Sequence, residues 1–292
     1  MMELPALRNS SLSMGVADNP PPVKLSSLPT SHYRHTMIDI RDEQRVRTIT
    51  FRRPEAKNAM NSAMWDGTTE AFLDAATNPA VAVVMLTGSE DSFSAGQDLL
   101  EMGELAMGNA VPAVHGFAGL CTTLIDFPKP LVLAVNGLAV GFGTTVLGLA
   151  DLVFVSETAR FKCPFTSLGV APELASSASL PSLMGRQNAS WLLMSAEWLT
   201  AAQAVEMGLA YQMCAPEELL DQAGQAARLL ASRPISSLIE TKDAIMGPRR
   251  AELHAAHQRE NEAFSRLMGG PANLEAMMAF AEKRAANFDG ID

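Results

Sequence analysis

The spacing of apolar and polar positions changes several times along the chain, and each change marks an element. Residues 37–51, MIDIRDEQRVRTITF, place two short apolar-rich runs around a polar centre. They read as two strands joined by a turn, with Val46, Thr48 and Thr50 on one face and Arg45, Arg47 and Ile49 on the other. Met64, Phe72 and Ala75 follow at helical spacing, predicting a helix to about Ala76 that Asn61 or Ser62 can cap. VAVVMLT (81–87), LVLAV (131–135) and LVFVS (152–156) are unbroken, β-rich apolar runs. That is the pattern of parallel strands covered on both faces. Between the first two, Gly96 falls in a loop and a further helix is expected near 112–126. Beyond 186 the pattern turns helical. Thr200 and Gln203 form a capping box, Gly208 closes that helix, and Pro234 falls in the first turn of the next. The last forty residues keep helical spacing, and no internal repeat is visible. Strands alternating with helices at these intervals imply an α/β fold.

Residues 1–35 break this regularity. They hold NPPP at 19–22 and several serines, a composition that resists packing and implies a flexible extension. The expected division is therefore an extension at 1–35, a core at 36–225 and a helical region at 226–292. At 292 residues, 48% hydrophobic and 18% charged, the chain has material for a sizeable core. A net charge of −10 argues against a nucleic-acid binder, which would carry a basic face. It leaves open a small anionic ligand held by a few local Arg and Lys residues. The three cysteines, Cys121, Cys163 and Cys214, are widely spaced and suggest neither a disulfide framework nor a CxxC metal or redox pair. The start of the chain lacks a basic segment leading into an apolar core, and the FDGID ending is not of SKL type, so a cytoplasmic location is expected. Residues 131–155 are apolar enough to suggest a membrane span. Asn136, four glycines and Asp151 interrupt them, so a buried strand, a glycine turn and a buried helix explain the segment better, and no membrane is expected.

Two glycine loops follow directly on two of the apolar strands: SFSAGQDL (92–99) and NGLAVGFGTT (136–145). In open α/β sheets, ligands bind beyond the carboxyl ends of the strands. Glycine lets backbone approach a ligand closely, so the two loops could aim two N–H groups at one oxygen. Taken singly, each loop is equally a tight turn in a packed core. Neither matches a dinucleotide or P-loop fingerprint.

RPEAKNAMN (53–61), FSAGQDL (93–99) and KPLVLAVNGLAVGFG (129–143), in that order, resemble the enoyl-CoA hydratase/isomerase, or crotonase, superfamily. MMAFAEKRAANF (277–288) resembles its C-terminal helix. The resemblance covers about 37–288. It implies a crotonase (ClpP-like) fold of repeated ββα-type units with a helical C-terminal region. It implies trimers or hexamers, an acyl-CoA substrate, and no cofactor beyond the coenzyme A carried by that substrate. It assigns the backbone N–H groups of Gln97 and Phe142 as oxyanion donors. Ser94, Ala95, Gly96, Asp98 and Leu99 would shape the acyl-CoA channel with Gly141, Ala56 and Lys57 would line the CoA groove, and Phe280 and Lys283 would help hold CoA, often from a neighbouring subunit. Phe142 stands where the family often has glycine.

The superfamily's hydratases use two glutamates, and the matching positions here are Thr145 and Phe165. That speaks against hydration. PFTSLGVAPELASS (164–177) is instead similar to the peroxisomal-type Δ3,Δ2-enoyl-CoA isomerase branch, in which the glutamate after the proline is the catalytic acid/base. That residue is Glu173, with Leu174 in place of the expected glycine. No other acid lies between Glu157 and Glu197. Spacing alone also fits a plain acid in the first turn of a helix. Other crotonase reactions, hydration or thioester hydrolysis, and a non-catalytic acyl-CoA-binding subunit are the alternatives. His254 and His257 have ligand-like spacing without a third ligand, so no metal is expected. Asp98 reads more simply as a loop-stabilising acceptor than as an acid. Ser94 lacks a GxSxG elbow.

Overall fold

The apolar runs become the middle of a sheet. The computed structural model describes residues 37–291, so the expected extension at 1–35 lies outside the described residues. β1 (Ile38–Glu43) and β2 (Val46–Phe51) form an antiparallel hairpin. Its turn residues, Gln44 and Arg45, both take positive φ, which suits a two-residue turn to the twist of the strands. β3 (Val83–Gly88), β4 (Ser92–Ser94), β5 (Leu131–Val135), β6 (Leu138–Val140), β7 (Leu152–Ser156), β8 (Arg160–Lys162), β9 (Leu199–Thr200) and β10 (Gln212–Cys214) follow. They sort into two sheets, ordered β1-β2-β3-β5-β7-β10 and β4-β6-β8-β9. From β2 to β10 the first sheet is parallel. Each of β3, β5 and β7 thus runs on into a short strand of the second sheet before the chain turns helical, which is the repeated ββα pattern.

The helices are α1 (Ser62–Thr77), α2 (Leu99–Ala106), α3 (Gly116–Ile125), α4 (Phe142–Thr145), α5 (Ser176–Met184), α6 (Arg186–Ser195), α7 (Ala201–Glu206), α8 (Leu219–Ala231), α9 (Ile235–Leu267) and α10 (Pro271–Glu282). Both faces of the main sheet are covered. Val84, Leu86, Leu131, Leu133 and Val135 face the larger core with Met64, Phe72 and Leu120. Val83, Met85, Val132 and Ala134 face α8. Ala223, Ala227 and Ala231 recur every fourth residue on α8, so its backbone can lie close to the strands.

Several expectations change. β2 does not alternate in the expected way: Ile49 and Phe51 are fully buried and Arg47 is only 6% exposed. Arg47 is tolerated inside because Asp42 (2.7 Å) and Asp74 (2.5 Å) both pair with it. The stretch before 112–126 is not all loop, since β4 and α2 lie there, and the expected helix starts only at Gly116. Asp66 fixes that start by accepting from the amides of Val114, His115 and Gly116. Pro234 is the extended cap of α9 rather than part of its first turn. The helical part begins at α5, earlier than 186, and β9 and β10 interrupt it. The apolar segment 131–155 is strand, turn and short helix, and no helix among the described residues is long and apolar enough to cross a membrane.

One buried contact fixes the long helix α9. Lys242 donates to Lys129 O and pairs with Asp151 Oδ2, both at 2.8 Å. Asp151 also accepts from the Leu131 amide. This ties α9 to the start of β5.

Candidate active site

The two glycine loops touch because neither has a side chain at the contact. Gly96 has φ +83°, and a Cβ there would lie 2.8 Å from Val140 O and 3.6 Å from Gly141 Cα. A Cβ on Gly143 would lie 2.4 Å from Ser94 O. The Met60 amide donates to Gly96 O (2.7 Å), and the Asp98 amide donates to Met60 O (3.0 Å). In this bridge the intervening Gln97 N–H points away from Met60. Phe142 is the first residue of α4, where an N–H has no partner within the helix. The amides of Thr144 and Thr145 both use Gly141 O. Among the described residues, neither the Gln97 nor the Phe142 N–H has an acceptor.

Phe142 is larger than the glycine often found there, and its ring has room. It is 1% exposed and packs edge-on against Trp65, with centroids 4.9 Å apart, and near Phe51 at 6.5 Å. Trp65 Nε1 donates to Gln97 Oε1 at 3.2 Å. One tryptophan therefore braces the side chains of both donor residues. Phe142→Ala keeps the N–H and loses the packing, so thermal unfolding should show a loss of about 3–5 kcal/mol.

Glu173 is only partly open to solvent and lies against the second loop. Its Oε1 would be 3.7 Å from a Cβ on Gly141, and the same Cβ would be 3.9 Å from Gly96 Cα. No described residue hydrogen-bonds its carboxylate. Burial, and then the charge of Glu260, push its pKa up to about 8. Both effects disfavour the ionised form. The buried thiols of Cys121 and Cys163 feel the Glu173 charge as well, and burial with that charge pushes both upward.

The reading of Glu173 as a helix-end acid fails here. α5 begins at Ser176, and its first amides are taken by a different acid. Glu260, 4% exposed on α9, accepts from the Ala175 amide at 2.7 Å and the Ser177 amide at 2.8 Å. Burial raises its pKa against the lowering effect of these bonds. Leu174, in the place of the family's glycine, takes the glycine-like φ of +59°, and Ala175 follows at +54°. Leu174 is also fully buried. Sequence reasoning missed Glu260, because a glutamate on a long, mostly polar helix carries no local mark of its partner.

The other expected site residues fall into two groups. The loop residues are joined by backbone bonds: Ala95 N donates to Lys57 O, Ser94 Oγ to Asn58 O, and Gly96 N to Ser94 Oγ. Ala56 lies in the same short turn as Lys57, which is exposed with φ +51°. Asp98 caps α2 through the amides of Leu100 and Glu101 and pairs with Arg53 at 2.6 Å. Burial raises its pKa, these partners lower it with a net fall, and the same bonds hold the start of α2. Leu99 opens α2, half-buried. Phe280 and Lys283 are exposed at the end of α10, and no described contact brings them to the loops. Thr145 and Phe165 are buried and supply no carboxylate. His254 pairs with Asp126, and His257 with Asn261.

The arrangement is one carboxyl group, poised to gain or lose a proton near neutrality, beside two unpaired N–H groups. The model of the family described as "Enoyl-CoA hydratase/isomerase" matches residues 41–291. The chain is 32% identical over 250 residues to "Enoyl-CoA delta isomerase 2" of Rattus norvegicus, covering 85% of this chain and 64% of that protein. It therefore spans a little under two thirds of that relative's length. It is 33% identical over 248 residues to "2,3-dehydroadipyl-CoA hydratase" of Escherichia coli, covering 85% and 96%. The crystal structure of enoyl-CoA hydratase EchA8_6 from Mycobacterium marinum aligns with a TM-score of 0.70 at 55% identity, covering 73% of this chain and all of that one. With a family model spanning nearly all the described residues and relatives above 30% identical over most of the chain, the chain belongs to the enoyl-CoA hydratase/isomerase, or crotonase, superfamily.

Proposed function

We propose that the chain is an acyl-CoA isomerase that moves a 3-enoyl-CoA double bond to the 2-trans position. The observation that carries this reading is the placement of one unbonded carboxylate, Glu173, against the loop between the Gln97 and Phe142 amides. In the reaction, ionised Glu173 takes a proton from C2. The electron pair moves onto the thioester oxygen, giving a dienolate held by the two N–H groups. Glu173 then returns its proton to C4, and the double bond lies between C2 and C3. One acid/base group is enough, and the enzyme ends as it began. Each preorganised N–H of this kind is worth roughly 3–4 kcal/mol of barrier.

The hydratase among its relatives keeps a second reading in view. Hydration needs a second group to hold and split water. The two family positions carry Thr145 and Phe165, and among the described residues the other carboxylate acting on Glu173, that of Glu260, is engaged by two amides. This favours isomerisation. A thioesterase or a binding subunit would share the two N–H groups, but neither gives Glu173 a proton to move between two carbons. CoA binding by Lys57, Phe280 and Lys283, and assembly into trimers or hexamers, belong to the same proposal.

The base works as a carboxylate. With a pKa of about 8, only about one-tenth of Glu173 is ionised at pH 7. We expect kcat/KM for a 3-enoyl-CoA to rise with pH through neutrality and level off above about 8. A profile flat from pH 6 to 9 would contradict this role.

A further inference from the structure

The hold on Glu173 comes from a distant part of the chain. Leu174 and Ala175 both stand in the left-handed region, which is strained for a residue with a side chain. Something must keep them there. The Ala175 amide is bound at 2.7 Å and the Ser177 amide at 2.8 Å by the two oxygens of one buried carboxylate, Glu260. That carboxylate sits on α9, which Lys242 anchors to β5 through Lys129 O and Asp151. The branch pattern has a glycine where this chain has Leu174, and glycine would adopt the turn unaided.

We propose that Glu260 is a positioning residue: its carboxylate clamps the Ala175 and Ser177 amides and so fixes the left-handed turn that holds Glu173 against the Gly141 loop. This rests on the isomerase reading for its effect on rate, but not for its effect on Glu173 itself. The groups facing Glu173 are Glu260 on α9, Cys121 on α3 and Cys163 after β8. Both thiols stay neutral, so among the described residues Glu260 is the facing charge that a substitution can remove. Glu260 itself faces Glu173 and Cys121, and Arg259 on its own helix.

Glu260→Gln keeps size and one acceptor, and removes the charge and the second acceptor. The test labels glutamate side-chain carboxyls with 13C in the full chain and follows Glu173 by NMR, assigned by its absence in Glu173→Gln. No substrate is needed, so the titration reads whether Glu260 faces Glu173 even if the chain proves to catalyse something else. In folded Glu260→Gln the Glu173 midpoint should fall by about one unit or more as the facing charge goes. On a 3-enoyl-CoA, kcat above pH 8 should fall by about tenfold or more with KM little changed, because a slackened turn misplaces the base. Ser177→Pro removes one clamped amide and leaves the Glu260 charge, at a first-turn position where proline is tolerated. It should lower kcat with the Glu173 midpoint unmoved, and it serves if Glu260→Gln fails to fold. A Glu173 midpoint unchanged in folded Glu260→Gln, or full kcat in Ser177→Pro, would overturn the proposal.

Discussion

Glu173→Gln should lower turnover of a 3-enoyl-CoA by about 10²–10⁴-fold and, above pH 8, make the protein more stable. Both effects come from one carboxyl group. Glutamine keeps the shape and cannot carry the proton from C2 to C4, so turnover is lost while the groove and the two N–H groups remain for CoA. The stability effect follows from linkage. Glu173 moves from an ordinary 4.5 to about 8 on folding. Between those values the folded protein keeps a proton that the unfolded chain releases. Stability from this group is complete below about 4.5 and is lost as pH rises to about 8. Above that, the wild type carries a penalty on the order of a few kcal/mol that glutamine lacks. Thermal unfolding at pH 5 and pH 9 should therefore show little difference at the lower pH and a higher melting temperature for Glu173→Gln at the higher. A variant no more stable at pH 9 than at pH 5, relative to wild type, would mean that the carboxylate is not buried in the way described.

Gly143→Ala carries the second large effect, through geometry alone. The new Cβ would meet Ser94 O at 2.4 Å, far inside a tolerable contact, and neither partner is a flexible side-chain end. α4 and β4 must separate, and with them the backbones that carry the Phe142 and Gln97 donors. A shift near 1 Å at such a site costs on the order of 10²-fold in rate, and the strained contact should cost about 1–3 kcal/mol in stability. Gly103→Ala is the control. Its Cβ meets nothing within 4 Å on α2, and alanine suits a helix better than glycine by roughly 0.5–1 kcal/mol. Melting curves and kcat for the two variants should move in opposite directions or, for the control, leave kcat alone. Equal behaviour would show that the loops do not depend on that close approach.

What could be read along the chain was whatever a local pattern expresses. β3, β5 and β7 announced themselves as apolar runs because both their faces are covered. The loops after β3 and β5 were legible because glycine is the residue that permits close backbone contact, as at Gly96 and Gly143. Glu173 stood out as an acid with no acidic neighbours in sequence. The short strands β4, β6, β8 and β9 could not be read, since two or three residues are too few to show a period. Arg47 misled because its burial depends on Asp42 and on Asp74, which the fold brings to it. Glu260 was hidden for the same reason in a stronger form: its partners are amides, which have no sequence signature, at Ala175 and Ser177 in a distant turn. The side-chain space for Phe142 likewise became visible only when Trp65 and Phe51 were seen around it.

The most direct test follows ultraviolet absorbance as a 3-enoyl-CoA becomes the conjugated 2-enoyl-CoA, with Glu173→Gln alongside and with loss of 2-enoyl-CoA absorbance by hydration measured on the same preparations. If Glu173 is the base, the wild type isomerises, the variant loses nearly all of that turnover, and hydration is far slower than isomerisation. Hydration as fast as isomerisation, or turnover undiminished in Glu173→Gln, would contradict it.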